Sequence, residues 1–174
     1  MEFVAESIAS KIDSLNKSIG KTVAWLTLGI VLLQFLVVVM RYIFGFGSIF
    51  IQEIIVYQHA LIIMMGAGYT LYVDGHVRLD VFYRDADFRK KQIINIIGAA
   101  VFLLPMCIII GVYSWPYVYQ SWHVLEGSKE TSGIPAVFML KTCVLIFSVL
   151  LFLQGISIIL RSWIRLLSKE YQHS

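Results

Sequence analysis

"QIINIIGAAVFLLPMCIIIGVYSWPYVYQSWHVL", residues 92–125, contains no Asp, Glu, Lys or Arg. A helix rises 1.5 Å per residue and the hydrocarbon of a bilayer is about 30 Å thick, so about 20 such residues suffice to cross it. This run exceeds that length, which predicts a tilted span or a projecting end. Pro105 withholds a backbone donor within it and predicts a kink. Its last part, Trp115 to Trp122, has the Trp and Tyr that settle at headgroup level.

Working outward, three more uncharged runs have the necessary length: Thr22 to Met40, Ile54 to Val73 and Thr142 to Leu160. The chain of 174 residues is 59% hydrophobic and 14% charged, with a mean hydropathy of +0.79. Soluble domains are about 45–50% apolar and about 25% charged, so a water-soluble fold is excluded. The runs do not alternate polar and apolar residues, which removes a membrane β-barrel. The sequence therefore predicts an all-α polytopic membrane protein. One membrane domain, 1–174, has four transmembrane helices at about 22–44, 51–73, 93–118 and 136–160.

Residues 1–21 are charged throughout and lack the apolar core of a cleaved signal. Phe3, Val4, Ile8, Ile12, Leu15 and Ile19 recur at mostly helical spacing, which predicts an amphipathic helix lying in the headgroup plane. A helical extension that caps the bundle fits the same pattern. Cys107 and Cys143 fall within spans and read as small buried hydrophobes.

The fourteen basic residues sort by side. Lys11, Lys17, Lys21, Arg78, Arg84, Arg89, Lys90, Lys91, Arg161, Arg165 and Lys169 share one side, leaving Arg41, Lys129 and Lys141 on the other. Positive residues accumulate in the cytoplasm, so both termini and loop 74–92 are expected inside and loop 119–135 outside. The same asymmetry accounts for the net charge of +3 through membrane lipid, with no nucleic acid involved.

Loop 74–92 holds His76, Arg78 and Asp80 at a spacing that invites a metal. A catalytic metal site needs about three placed ligands, and here one His stands among carboxylates that arginines would compete for. The stretch reads as a structural turn at the inner face. Glu53 is the acid nearest the hydrocarbon, where an ionisable group calls for a partner. Arg41, across the hairpin Gly45-Phe46-Gly47-Ser48, is the expected salt-bridge partner. His59 sits deeper, and haem between helices would need a second His at its depth. No other His occupies that position, so Gln58 and His59 are expected to bond a neighbouring helix or a partner. Lys141 is expected to snorkel outward. No catalytic constellation, phosphate loop or cofactor motif is present in the sequence, which reads as a non-enzyme.

The order of short motifs carries further information. Arg41-Tyr42-Ile43-Phe44-Gly45 closes the first span, then come Ser48 and Glu53, Gly66 in the second span, and His76-Val77-Arg78-Leu79-Asp80. Glu130-Thr131-Ser132 and Pro135 precede the fourth span. In this order, from about Arg41 to Leu160, the sequence resembles the small integral-membrane subunit of TRAP transporters, the tripartite ATP-independent periplasmic uptake systems. Phe50 stands where that family often has Trp. The resemblance implies a multi-pass protein of the bacterial inner membrane that binds no cofactor and works as a scaffold. Its partners would be a large multi-span subunit and a soluble periplasmic substrate-binding protein, in sodium-coupled uptake of an organic acid such as sialic acid or a C4-dicarboxylate. The end of the sequence at Ser174 implies that the large subunit is a separate chain. On this reading Arg41, Glu53, His59, His76, Arg78 and Asp80 are structural or interface residues. Glu126, Lys129 and Glu130 would meet the binding protein. The competing readings are a membrane anchor of an oxidoreductase that binds haem or quinone, and a self-sufficient homodimeric transporter.

Overall fold

The computed structural model describes residues 2–76, 83 and 86–170, and among them there are helices but no strand. Helix α1 spans Glu2–Ile43 and α2 spans Ile49–Tyr72. Next in the chain, α3 (Phe88–Ile97) runs through a π-helical segment (Gly98–Leu103) into α4 (Leu104–His123). Helix α5, Val137–Glu170, closes the bundle. Four of these rods are long and apolar enough to cross a membrane, with α3, the π segment and α4 forming one of them.

The N-terminal segment is helical, but it is not a separate helix in the headgroup plane. Residues 2–43 form one helix of 42 residues, about 63 Å long, with no break at Lys21. The extension alternative is the one that the structure adopts, and of the apolar stripe only Ile12 and Ile19 are half-buried. Phe3, Val4, Ile8 and Leu15 are exposed, while Ala9, Asp13 and Asn16 are buried.

Turn chemistry explains the first hairpin. Gly45 has a φ of 65°, a left-handed conformation that a Cβ would disfavour. It lets the Phe46 N–H return to the Met40 carbonyl at 3.1 Å. Ser48 then caps α2 by accepting the Ile51 N–H at 3.5 Å. Arg41 lies in the last turn of α1, where a cation complements the helix dipole. In the third span, Pro105 stands two residues after the π segment, a bulge of the kind that disturbs the regular hydrogen-bond ladder within a continuing helix.

In lipid the hydrophobic effect does not drive helices together, so close packing and polar bonds must do so. The buried set reflects this: eight apolar and eight polar residues among those described. Cβ atoms added at Gly20 or Gly68 would land on Tyr69 or Asn16, so these glycines set how closely α1 meets α2. Gly111 lies beside Ser148, whose hydroxyl donates to the Cys107 carbonyl at 2.7 Å and ties α5 to α4. Met65, Cys143 and Leu150, with Ile19 and Val23 against them, form the apolar centre between α1, α2 and α5.

Candidate functional site

Polar groups gather at the two ends of the bundle. At the end formed by the start of α1 and the end of α5, Asp13 is 4% exposed and faces α5. Its Oδ1 accepts from Gln154 Nε2 at 2.9 Å and Ser157 Oγ at 2.6 Å, and its Oδ2 accepts from Arg161 Nε at 2.6 Å. A second Arg161 nitrogen, Nη2, completes the ion pair. One turn along, Asn16 Nδ2 donates to Gln154 Oε1 at 2.7 Å. Every side chain in this chain of bonds joins α1 to α5. Reading the sequence alone does not find it. The available signal was two matching polar stripes, Asp13 and Asn16 at i, i+3 and Gln154, Ser157 and Arg161 at i, i+3, i+7, each on one helix face.

Beside this network opens a cavity of about 530 Å³, lined by Asp13, Asp74, Asn95, Gln154, Arg161 and Arg165 among others. Among the described residues two carboxylates, Asp13 and Asp74, and two guanidinium groups, Arg161 and Arg165, line it. No group of three His, Cys, Asp or Glu residues able to hold a metal occurs among the described residues.

At the opposite end the connection between α4 and α5 is tied down twice. Glu53, in α2, accepts from Ser128 Oγ and, at 2.5 Å, from the Ile134 N–H. Glu126 accepts from Ser121 Oγ at 2.7 Å and pairs with Lys141, whose ammonium also lies 4.0 Å from the Tyr117 ring centre. The Lys141 ammonium, and next the Ser121 hydroxyl, hold the Glu126 carboxyl below its ordinary range. A depressed folded value stabilises at pH above the unfolded value, and that contribution fades as pH falls through the folded one. The stability difference between the parent and Glu126→Gln is therefore expected to be full at neutral pH and to shrink in acid. Thermal unfolding of the detergent-solubilised chain across pH measures it, and a difference that grows in acid would contradict the assignment.

The anticipated residues are thus dispersed. Arg41 is exposed at the end of α1, and the Arg41–Glu53 salt bridge is not formed. Glu53 turns instead to the α4–α5 loop, whose hydroxyl and amide donors satisfy both oxygens. His59 is exposed on α2 and makes no hydrogen bond among the described residues, whereas Gln58 turns inward against Gly29 with Oε1 unpaired. His76 is exposed in a bend after α2, and Arg78 and Asp80 lie outside the described residues. Lys141 does not snorkel freely but is held by Glu126. Of the three docking candidates Lys129 and Glu130 are exposed, while Glu126 is committed to Lys141.

Comparison with known proteins adds the family. The model of the DctQ component of tripartite ATP-independent periplasmic transporters matches residues 30–165, from within α1 to the inner part of α5. The C4-dicarboxylate TRAP transporter small permease protein DctQ of Vibrio cholerae serotype O1 is 26% identical over 145 residues, covering 81% of this chain. The chain spans about 60% of the length of that curated relative. No solved structure matches. The chain belongs to the DctQ component family of the tripartite ATP-independent periplasmic transporters and is a multi-pass protein of the inner membrane.

Proposed function

We propose that this chain is the small scaffold subunit of a sodium-coupled TRAP transporter that takes up an organic acid. It would steady a large multi-span subunit and offer part of the docking surface for a soluble periplasmic binding protein. In this role it is a transport component and not an enzyme. Sialic acid and C4-dicarboxylates are the substrate classes considered, and the name of the Vibrio cholerae relative supports the second.

The observation that carries the reading is how the ionisable groups inside the bundle are used. Asp13 is bonded to Arg161, Glu53 to the outer loop and Glu126 to Lys141. Each joins one part of this chain to another, which suits a scaffold better than a conduit. The haem- or quinone-binding anchor is not favoured. His59 faces outward at the middle of α2, whereas His76 and His123 sit at opposite ends of the bundle.

Tagging the chain, extracting it gently from native membranes and identifying co-purifying proteins by mass spectrometry tests the proposal. A stoichiometric, colourless partner with many spans is the expected result. A haem absorbance with soluble redox subunits, or recovery of a homodimer alone, would overturn it.

A further inference from the structure

We infer that Glu53 is a positioning residue that shapes residues 128–134 into the surface offered to the soluble binding protein, an inference that rests on the proposed transporter role. The segment lies 75 and 81 positions away along the chain at its two bonded points, yet both reach one carboxylate. Oxygen Oε1 receives the Ser128 hydroxyl and Oε2 receives the Ile134 N–H, so the two ends of the segment are pinched against α2. Across the same neck the Ser128 N–H donates to the Ile134 carbonyl at 3.1 Å. Inside the loop the Glu130 N–H donates to Ser128 Oγ at 3.1 Å and the Gly133 N–H to the Glu130 carbonyl at 3.0 Å.

Gly133 completes the device. A Cβ there would strike the Ser128 side chain and come within 2.6 Å of Glu53 Oε1. The position must lack a side chain for the carboxylate to enter the neck. What the closed neck displays is the tip, Lys129, Glu130, Thr131 and Ser132, all exposed. These are two opposite charges and two hydroxyls, groups that suit the polar rim of a soluble partner rather than hydrocarbon. Charge-assisted hydrogen bonds are the stronger class, and both bonds from the loop to α2 end on the same carboxylate. Removing both oxygens therefore detaches both ends of the segment from α2 at once.

Glu53→Gln presents an amide that can accept at one atom only, and Glu53→Ala removes both acceptors. Two readouts apply. Hydrogen exchange on the purified chain is expected to show the Gly133 and Ile134 amides exchanging at least about tenfold faster, with the helices unchanged. In proteoliposomes containing the co-purified complex, with labelled sialic acid and succinate as probes, the half-saturating concentration of binding protein is expected to rise about tenfold. The rate at saturating binding protein should change far less.

Unchanged exchange in both variants would overturn the anchoring. A loosened loop with unaltered dependence on binding protein would overturn the docking role of Glu53. Charge reversal at Lys129 and Glu130 separates the two layers. If the reversals weaken docking and the Glu53 variants do not, the transporter reading stands and this inference fails. If none of the variants alters uptake that requires binding protein, the loop is not a docking surface. Recovery of no transport complex at all would overturn both.

Discussion

Arg161→Ala is expected to destabilise the bundle by about 2–3 kcal/mol, and Asp13→Ala by at least as much. Breaking a buried ion pair by removing one partner costs about 3–5 kcal/mol, because the remaining charge stays uncompensated. The two partners are unequal: the Arg161 side chain is 39% exposed and that of Asp13 is 6% exposed. Exposure screens part of the Arg161 contribution, which places the expectation at or below the lower end of that range. Without Arg161, the Asp13 carboxylate keeps Gln154 and Ser157 as donors but has no countercharge. Without Asp13, Arg161 can turn to water, and the loss falls on two buried donors, Gln154 Nε2 and Ser157 Oγ, each costing about 1–3 kcal/mol if left without a partner. Denaturant unfolding of the solubilised chain measures both variants. The double replacement should be less damaging than the sum of the two. An Arg161 variant as stable as the parent would show that the carboxylate is not held by the guanidinium.

The parts of this architecture that were legible in the sequence are those set by local pattern. Uncharged runs such as Thr142 to Leu160 announce spans because hydrocarbon demands length and low charge from a contiguous segment. Ser48 and Gly45 announce the hairpin because their roles depend on neighbouring residues. Contacts across the chain were not legible in the same way. Asp13 and Arg161 are 148 positions apart, and only the antiparallel packing of α1 on α5 joins them. Glu53 was matched to Arg41 because both flank the same short hairpin. The structure gives it donors from a loop whose path periodicity does not specify. The apolar stripe of residues 3–19 misled for a related reason. In a membrane protein the outward face is the apolar one and the interhelix face can be small and polar, as Ala9, Asp13 and Asn16 are.

The same inversion makes the glycines divide into two kinds, with opposite expected outcomes for a single methyl group. In a helix interior, Gly→Ala should stabilise by about 1 kcal/mol through propensity alone. Gly66 and Gly98 have nothing within 4 Å of an added Cβ, so Gly66→Ala and Gly98→Ala are expected to be neutral or stabilising in the isolated chain. Gly66 belongs to the family's motif, so an effect of Gly66→Ala that appears only in the assembled complex would place its role in contact with another chain. At Gly20 the added methyl falls on the base of the Tyr69 side chain, which cannot rotate away because it is fixed to the α2 backbone. The helices must then part. Asn16 and Gly68 meet one turn from that point, and Asn16 carries the 2.7 Å bond to Gln154. Overpacking of this kind costs about 1–3 kcal/mol, and disturbance of the Asn16 bond adds about 1 kcal/mol. With the propensity gain deducted, Gly20→Ala is expected to lose about 2 kcal/mol where Gly66→Ala loses nothing, measured by unfolding midpoint in the same detergent. Equal stability of the two variants would mean that the α1–α2 distance is not set by this crossing.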